Sequence, residues 1–400
     1  MSQPLAGVHV LDVSEFGFVP SAAAVLGDWG ADVVKVEKPG GDPLRGHGQM
    51  VPGTDDFAVL IEHFNRNKRG LVLDLSGPAG RAVLDRLLDW ADVLITNFLP
   101  RTLRKLGLTP EEVHARHPRV VYVRGTGQGS RGPDVDVPGF DGATWWARGG
   151  VADALSPPEG SARMHAALGD GPTGMMLAGG VAAALYARER TGLGTTVETS
   201  LLQGAMWTLA PDLTSTALMG KEPPTELPPR SFGAILGVYR TADGRRLQLT
   251  MPEDRWWEPA CRALGLERLL DDPELRDPAG RVRRADELRA TFAEVIGARD
   301  LADVERSLAA EGCVFAHFAS LSDVLADPMV AANDFMPAHP THPTGRIVAS
   351  PVQFGGEPIA IRRGAPRVGE HSVEVLGDAG FSVPEIDALL AESVTHQAAP

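Results

Sequence analysis

Between Ala167 and Gly174 the chain reads ALGDGPTG, one carboxylate among small and turn-forming residues. Directly after it comes MMLAGGVAAALYARERTGLG, a helical pattern with its stop signal. Aspartate is a favoured helix N-cap, proline suits the first helical turn, and the helix dipole favours an anion there. The same placement suits a carboxylate nucleophile. The positive helix end is expected to keep Asp170 ionised at neutral pH, and Gly169 and Gly171 leave room for a bulky electrophile. The residues alone leave both uses open.

A second group with chemical potential is basic. Lys38, Arg45, Arg66, Lys68, Arg69, Arg101, Arg104 and Lys105 sit next to turns in the N-terminal half. Each alone reads as solvated surface charge. As a set at strand ends in an acidic protein, they fit a phosphorylated ligand. GTGQGSRG, residues 125–132, is glycine-rich after a strand but misses the G-x-G-x-x-G spacing, so a dinucleotide fingerprint is not expected. His339 and His342 lie in HPTHP without a third ligand nearby, and Cys261 and Cys313 have no metal-binding spacing, so no metal site is expected. The chain has no G-x-S-x-G elbow, P-loop, H-E-x-x-H or C-x-x-C.

The elements that must position these residues alternate. Strand patterns at 7–14, 31–39, 70–76, 92–98 and 119–126 are separated by helical ones, including 77–91 and 100–107. This is the signature of a parallel sheet in an open α/β fold, whose ligands bind at the carboxyl ends of the strands. Proline-rich KEPPTELPPRSFG, residues 221–233, reads as a linker. A hairpin turning at Asp243-Gly244 follows, then helices from Trp256 to about Ala326, making a smaller domain. A second proline-rich piece, 336–346, leads to a strand at 347–354 and a helix at 384–394, with residues 396–400 expected to be disordered. The boundaries expected are 1–220 for the first part of a large domain, 221–330 for the small one, and 331–400 for the return to the large one. Trp145-Trp146 and Trp256-Trp257 are core candidates that could instead line an apolar ligand pocket.

Bulk properties narrow the class. The 400 residues carry 43% hydrophobic and 22% charged residues, ordinary for a globular protein. A net charge of -14 argues against nucleic acid or an anionic membrane as partner. Apolar runs are short or glycine-broken and the N-terminus lacks a signal-peptide pattern, so a cytoplasmic protein with reduced thiols is expected.

Eight segments in register resemble the class III (CaiB/BaiF) CoA-transferase family: PLAGVHVLDVS, LGDWGADVVKVEKPGGDPLR, NRNKRGLVLDL, ADVLITNFLP, PGFDGATWWARGGV, GDGPTGMMLAGGVAAALYARERTGLG, DPMVAANDF and VGEHSVEVLGDAGF. The resemblance implies a Rossmann-like α/β large domain with an open parallel sheet, a smaller α+β domain inserted into it, and an interlocked homodimer. It implies no permanently bound cofactor, with a coenzyme A thioester and a carboxylic acid as substrates and Asp170 as the catalytic carboxylate. CoA contacts implied by the match are Gly17 and Phe18, Lys38, Leu73, Asp74, Leu75 and Ser76, Asn97, Phe98 and Leu99, Lys105, and Pro138, Gly139, Phe140 and Asp141. Lys38 and Lys105 stand where several members carry arginine, which keeps the charge and loses the bidentate fork. Related racemases hold a proton-transferring histidine in G-H-D; here the motif is GFD, and Phe140 cannot transfer a proton. The alternatives are an acyl-CoA racemase or isomerase, which Phe140 disfavours, and a non-catalytic CoA-binding protein in which Asp170 only caps its helix.

Overall fold

The computed structural model describes residues 3–46, 58–157, 160–222, 233–342 and 345–399. Six strands form its main sheet: β1 (His9–Val13), β2 (Asp32–Glu37), β3 (Lys68–Val72), β4 (Val93–Thr96), β5 (Val121–Thr126) and β6 (Thr196–Ser200). Their order is β3-β2-β1-β4-β5-β6 and every neighbouring pair is parallel. Runs of β-branched residues suit strands covered on both faces. The central strands are accordingly sealed, with Val10, Leu11, Val93, Leu94, Ile95, Val121 and Val123 fully buried. Strand β6 is polar (TVETS), which is why alternation does not announce it.

The chain divides into two compact units. The larger comprises Met1–Leu218 and Met329–Pro400, the smaller Met219–Pro328. In the larger unit one face of the sheet carries α1 (Phe18–Asp28), with α2 (Val59–Asn65) beyond it. The other face carries α3 (Pro78–Trp90), α4 (Pro100–Leu106) and α5 (Pro110–Arg116). A π-helical stretch at Gly142–Arg148 leads to α6 (Val151–Leu155) and then to the long α7 (Asp170–Thr191), followed by β6 and α8 (Leu201–Thr208). Helix α1 is built of small residues, SAAAVLG, and is buried along its whole length. It packs against α7 in one continuous apolar core with Val10, Val33, Val123 and Val181. The final segment returns to β3: the Val72 N–H donates to Ser372 Oγ (3.2 Å) and Thr395 Oγ1 donates to the Val72 carbonyl (2.6 Å).

The smaller unit pairs β7 (Leu236–Arg240), β8 (Arg246–Thr250) and β9 (Phe315–His317) antiparallel, with the expected turn at Asp243-Gly244. Its core includes Leu247, Leu249, Phe292 and Trp257, whose ring stacks on Phe292 at 6.1 Å. Trp257 is therefore core. Two expectations need correction. Residues 347–354 form no strand, only an isolated bridge at Phe354, because Pro351 and the turn at 355–356 interrupt any ladder. Residues 396–399 are tied down, the Ala398 N–H donating to the Gly369 carbonyl (3.1 Å) and Gln397 Nε2 to that of Glu370 (2.7 Å). Most of the linker expected at 221–233 lies outside the described residues.

Candidate active site

The order of the strands reverses between β1 and β4, which opens a crevice at their carboxyl ends. Asn97, just past β4, clamps the chain leaving β1: its Nδ2 donates to the Glu15 carbonyl (2.7 Å), and the Glu15 N–H donates to its Oδ1 (3.1 Å). A cleft of about 270 Å³ begins there and reaches Asp170.

Asp170 is the first residue of α7, not its cap. Gly169 holds the cap position, and no side-chain capping bond forms. The segment is anchored instead through the Asp170 carbonyl, which accepts from Ser21 Oγ (3.1 Å), and that hydroxyl also donates to the Phe18 carbonyl (2.7 Å). Gly174, one turn on, permits this approach: a Cβ there would overlap Ser21 Oγ and stand 2.9 Å from the Phe18 carbonyl oxygen. Gly17, the N-cap of α1, does the same for the carboxylate, since a Cβ at Gly17 would overlap Asp170 Oδ2 and lie 3.1 Å from the Phe64 ring. The carboxylate is thus wedged between the starts of two helices.

Burial nevertheless pushes the Asp170 carboxyl up to about 7, with the Asp141 charge adding to the rise. Against the expectation that the helix end would keep it ionised at neutral pH, burial holds it near half-protonation there. Asp141 is itself buried, and its carboxyl is raised by the same cause. Its Oδ1 accepts the Gly169 N–H (3.0 Å), which fixes the residue before Asp170, while its buried Oδ2 has no hydrogen-bond partner among the described residues. A half-protonated carboxylate near pH 7 is still a competent nucleophile in its ionised fraction.

Four phenylalanines, Phe16, Phe18, Phe98 and Phe140, line the same cleft. Phe140 is half exposed and meets Phe16 edge-to-face at 5.1 Å. Phe16 has φ 67°, a strained conformation for a bulky residue. Trp145 is buried core behind Gly169 rather than a pocket wall, and Trp146 packs against the same core.

A second cleft of about 430 Å³ lies on the β2 side of the crevice and shares Glu15, Phe98 and Thr102 with the first. The resemblance-implied residues fall on these two surfaces. Gly17, Phe18, Asn97, Phe98, Leu99, Pro138, Gly139, Phe140 and Asp141 line the Asp170 cleft. Lys38, Leu73, Asp74, Leu75, Ser76 and Lys105 line the other, with Phe98 common to both. Lys38 is paired with Glu15 (2.8 Å) at the surface.

The wider basic set is corrected. Arg66 pairs with Asp28 (2.7 Å), Lys68 with Asp12 (2.7 Å), Arg69 with Asp32 (2.5 Å) and Arg45 with Glu37 (2.7 Å). Their acidic partners, far off in sequence in most cases, turn these residues into internal ion pairs rather than phosphate ligands. Neither Arg101 nor Arg104 lines the two clefts, and Arg104 is 4.0 Å from Asp136. Sequence reasoning missed Phe16, Arg124 and Gln128, all on the Asp170 cleft. A charged residue in the apolar run RVVYVRGT was the available signal for Arg124.

The switch-point crevice of this open α/β sheet thus carries a lysine-bearing cleft beside one that reaches a carboxylate on a helix end, the arrangement of a ligand-binding α/β enzyme. The chain belongs to CoA-transferase family III, whose model matches residues 5–372. It is a class III CoA-transferase, and the family acts on acyl-CoA substrates. It is 31% identical to the (R)-2-hydroxy-4-methylpentanoate CoA-transferase of Clostridioides difficile over 96% of this chain and 97% of that one. It is also 31% identical to the cinnamoyl-CoA:phenyllactate CoA-transferase of Clostridium sporogenes, over 96% of this chain and 95% of that one. Among solved structures, Rv3272 of Mycobacterium tuberculosis superposes with a TM-score of 0.82 at 28% identity, covering 92% of this chain and 98% of that one. Among the described residues no helix is long and apolar enough to cross a membrane.

Proposed function

We propose that the protein moves CoA from an acyl-CoA thioester to a free carboxylic acid through covalent intermediates on Asp170. The observation that carries this reading is the Asp170 carboxylate itself, lodged against Gly17 on the wall of the cleft. In its ionised form the carboxylate attacks the donor thioester carbon, giving a mixed anhydride and CoA thiolate. The thiolate attacks the Asp170 carbonyl, releases the donor acid and leaves an aspartyl-CoA thioester. The acceptor carboxylate attacks that thioester and again expels thiolate. The thiolate finally takes the acceptor's acyl carbon, which restores Asp170. No net proton is needed, and a dry site protects the anhydrides from water.

CoA is proposed to lie with its nucleotide in the cleft of Lys38 and Lys105 and its thioester beside Phe140 and Asp170, a path supported by the residues the two clefts share. Phe16 and Phe140 favour an apolar acyl group, in keeping with the branched and aromatic acids named for the two relatives. Homodimerisation is also proposed; Met206, Trp207, Leu213 and Leu218 are exposed on α8 and the following helix at Ala210–Met219, a run of large apolar side chains that a second copy would cover.

The test is to incubate the enzyme with an acyl-CoA and hydroxylamine and map the modified peptide. A hydroxamate on Asp170, with activity lost in Asp170→Ala, is the expected result. No adduct together with surviving activity in Asp170→Ala refutes the reading.

A further inference from the structure

The loop between β1 and α1 delivers Glu15, Phe16 and Gly17 to the Asp170 cleft, and side chains from other segments hold its backbone. Lys35, on β2, donates through Nζ to the Ser14 carbonyl (2.7 Å) and to Asp42 Oδ2 (2.7 Å). The other oxygen of Asp42, Oδ1, accepts the N–H of Phe16 (3.2 Å) and that of Leu44 (2.9 Å). Asn97 clamps Glu15 between these two points.

The turn after β2 brings Asp42 into place. Gly40 and Gly41 take φ 93° and 84°, values that favour glycine. The Asp42 N–H donates to Glu37 Oε1 (2.8 Å), on the carboxylate that Arg45 grips through Nε (2.8 Å) and Nη2 (2.7 Å). The Lys35 and Asp42 side chains are 1% and 0% exposed. Burial opposes the charge on Lys35, yet Asp12, Asp42 and Glu37 around it hold its ammonium above the usual lysine value. An ion pair this deep adds little net stability, because desolvation offsets its attraction. What it does supply is a fixed acceptor for the Phe16 N–H.

The conformation of Phe16 makes that acceptor matter. Its φ of 67° is strained for a bulky residue, and such a conformation persists only where the surroundings over-determine it. The ring packs on a small cluster of Leu44, Ala58, Ile61 and Phe64. It also meets Phe140 edge-to-face at 5.1 Å, on the lining of the Asp170 cleft. A negative φ would swing the Cα–Cβ bond about the N–Cα axis and take the ring off Phe140.

We propose that Asp42 is a positioning residue: held by Lys35, it locks Phe16 in the left-handed conformation and thereby sets the preference of the Asp170 cleft for bulky apolar acyl groups. The proposal rests on the CoA-transfer reading and adds to it the device that selects the acyl group.

The test is kcat/KM for phenylacetyl-CoA, isovaleryl-CoA and acetyl-CoA with one acceptor acid. It compares wild type, Phe16→Ala, Asp42→Ala, Asp42→Asn and the double variant Asp42→Ala with Lys35→Met. The readout is the ratio of each bulky donor to acetyl-CoA, which does not depend on how much of a variant is folded. Wild type is expected to prefer the bulky donors. Phe16→Ala and Asp42→Ala are expected to lower the ratio alike, by roughly three- to tenfold, the range one aromatic contact supplies. Asp42→Asn keeps an oxygen for the Phe16 N–H and is expected to keep most of the preference. The double variant removes both charges of the buried pair, so it reports if Asp42→Ala does not fold. A wild-type ratio in Phe16→Ala, or in the variants that carry Asp42→Ala, overturns the proposal. So does a loss of preference in Asp42→Asn as large as in Asp42→Ala. An equal loss for all three donors overturns it too, since that would place Asp42 on CoA or on the fold alone. Hydroxylamine capture at Asp170 with each donor is read in parallel. Absence of capture in the wild type fails the transfer reading instead, and is thereby distinguished.

Discussion

Replacing Asp141 by Asn removes a negative charge from beside Asp170 while leaving an oxygen that can accept the Gly169 N–H. The Asp170 carboxyl rises from 3.8 to about 7, with burial the larger cause and Asp141 the smaller. Asp141 therefore accounts for the smaller part of the rise. The direction follows from charge: without a neighbouring anion, the ionised form of Asp170 is favoured and its titration moves to lower pH. The assay is kcat/KM for CoA transfer from pH 5 to 9, with product thioester quantified by mass spectrometry. Wild type is expected to gain activity with rising pH, with a midpoint near 7, as ionised Asp170 accumulates. Asp141→Asn is expected to move that midpoint to lower pH, so that at pH 5.5 its activity relative to its own plateau exceeds the wild type's. A midpoint that stays in place or moves upward would refute the electrostatic reasoning. Asp141→Ala removes the acceptor for Gly169 as well, so it is expected to lower the plateau in addition.

Two further outcomes follow from the same wedge. A folded-state carboxyl raised above its unfolded value binds its proton more tightly when native, so folding is penalised as pH rises from about 4 to 7. Asp170→Asn is therefore expected to be more stable than wild type at pH 8, by up to about 4 kcal/mol, with no advantage left below pH 3.8; urea unfolding at the two pH values reads the difference. Gly17→Ala puts a methyl group where Asp170 Oδ2 stands and should lower kcat by on the order of 100-fold, with the fold intact by circular dichroism. Wild-type kcat in Gly17→Ala would show that the carboxylate need not sit there.

The strand-helix alternation of the N-terminal half is local, and β1, β2, β4 and β5 were legible from it because valine and isoleucine runs bounded by turns have few other uses. Strand β6 was not, since TVETS takes its pairing from β5 rather than from its own pattern. The basic residues show the same limit. Nothing local in NRNKRG says that Lys68 will meet Asp12, 56 positions away, or that Arg69 will meet Asp378. Asp170 was conspicuous through its glycine-rich surroundings, but its ionisation was not. The dipole argument uses only the helix that follows, whereas the charge state is set by burial and by Asp141, which belongs to a separate segment. Arg124 carried its signal in plain view, a guanidinium within an apolar strand, and only the structure shows which of its nitrogens have no partner among the described residues.

Oxygen labelling tests covalent participation of Asp170 most directly. When an acceptor acid labelled with ¹⁸O in both carboxyl oxygens turns over with unlabelled acyl-CoA, the final thiolate attack returns one acceptor oxygen to the Asp170 carboxylate. In the first turnover the Asp170 peptide is expected to gain one ¹⁸O, a 2 Da shift in the mass spectrum, and over many turnovers a second, a 4 Da shift, with the label confined to that residue. Full turnover with an unlabelled Asp170 peptide would mean that acyl transfer bypasses the aspartate, and would contradict the mechanism at its centre.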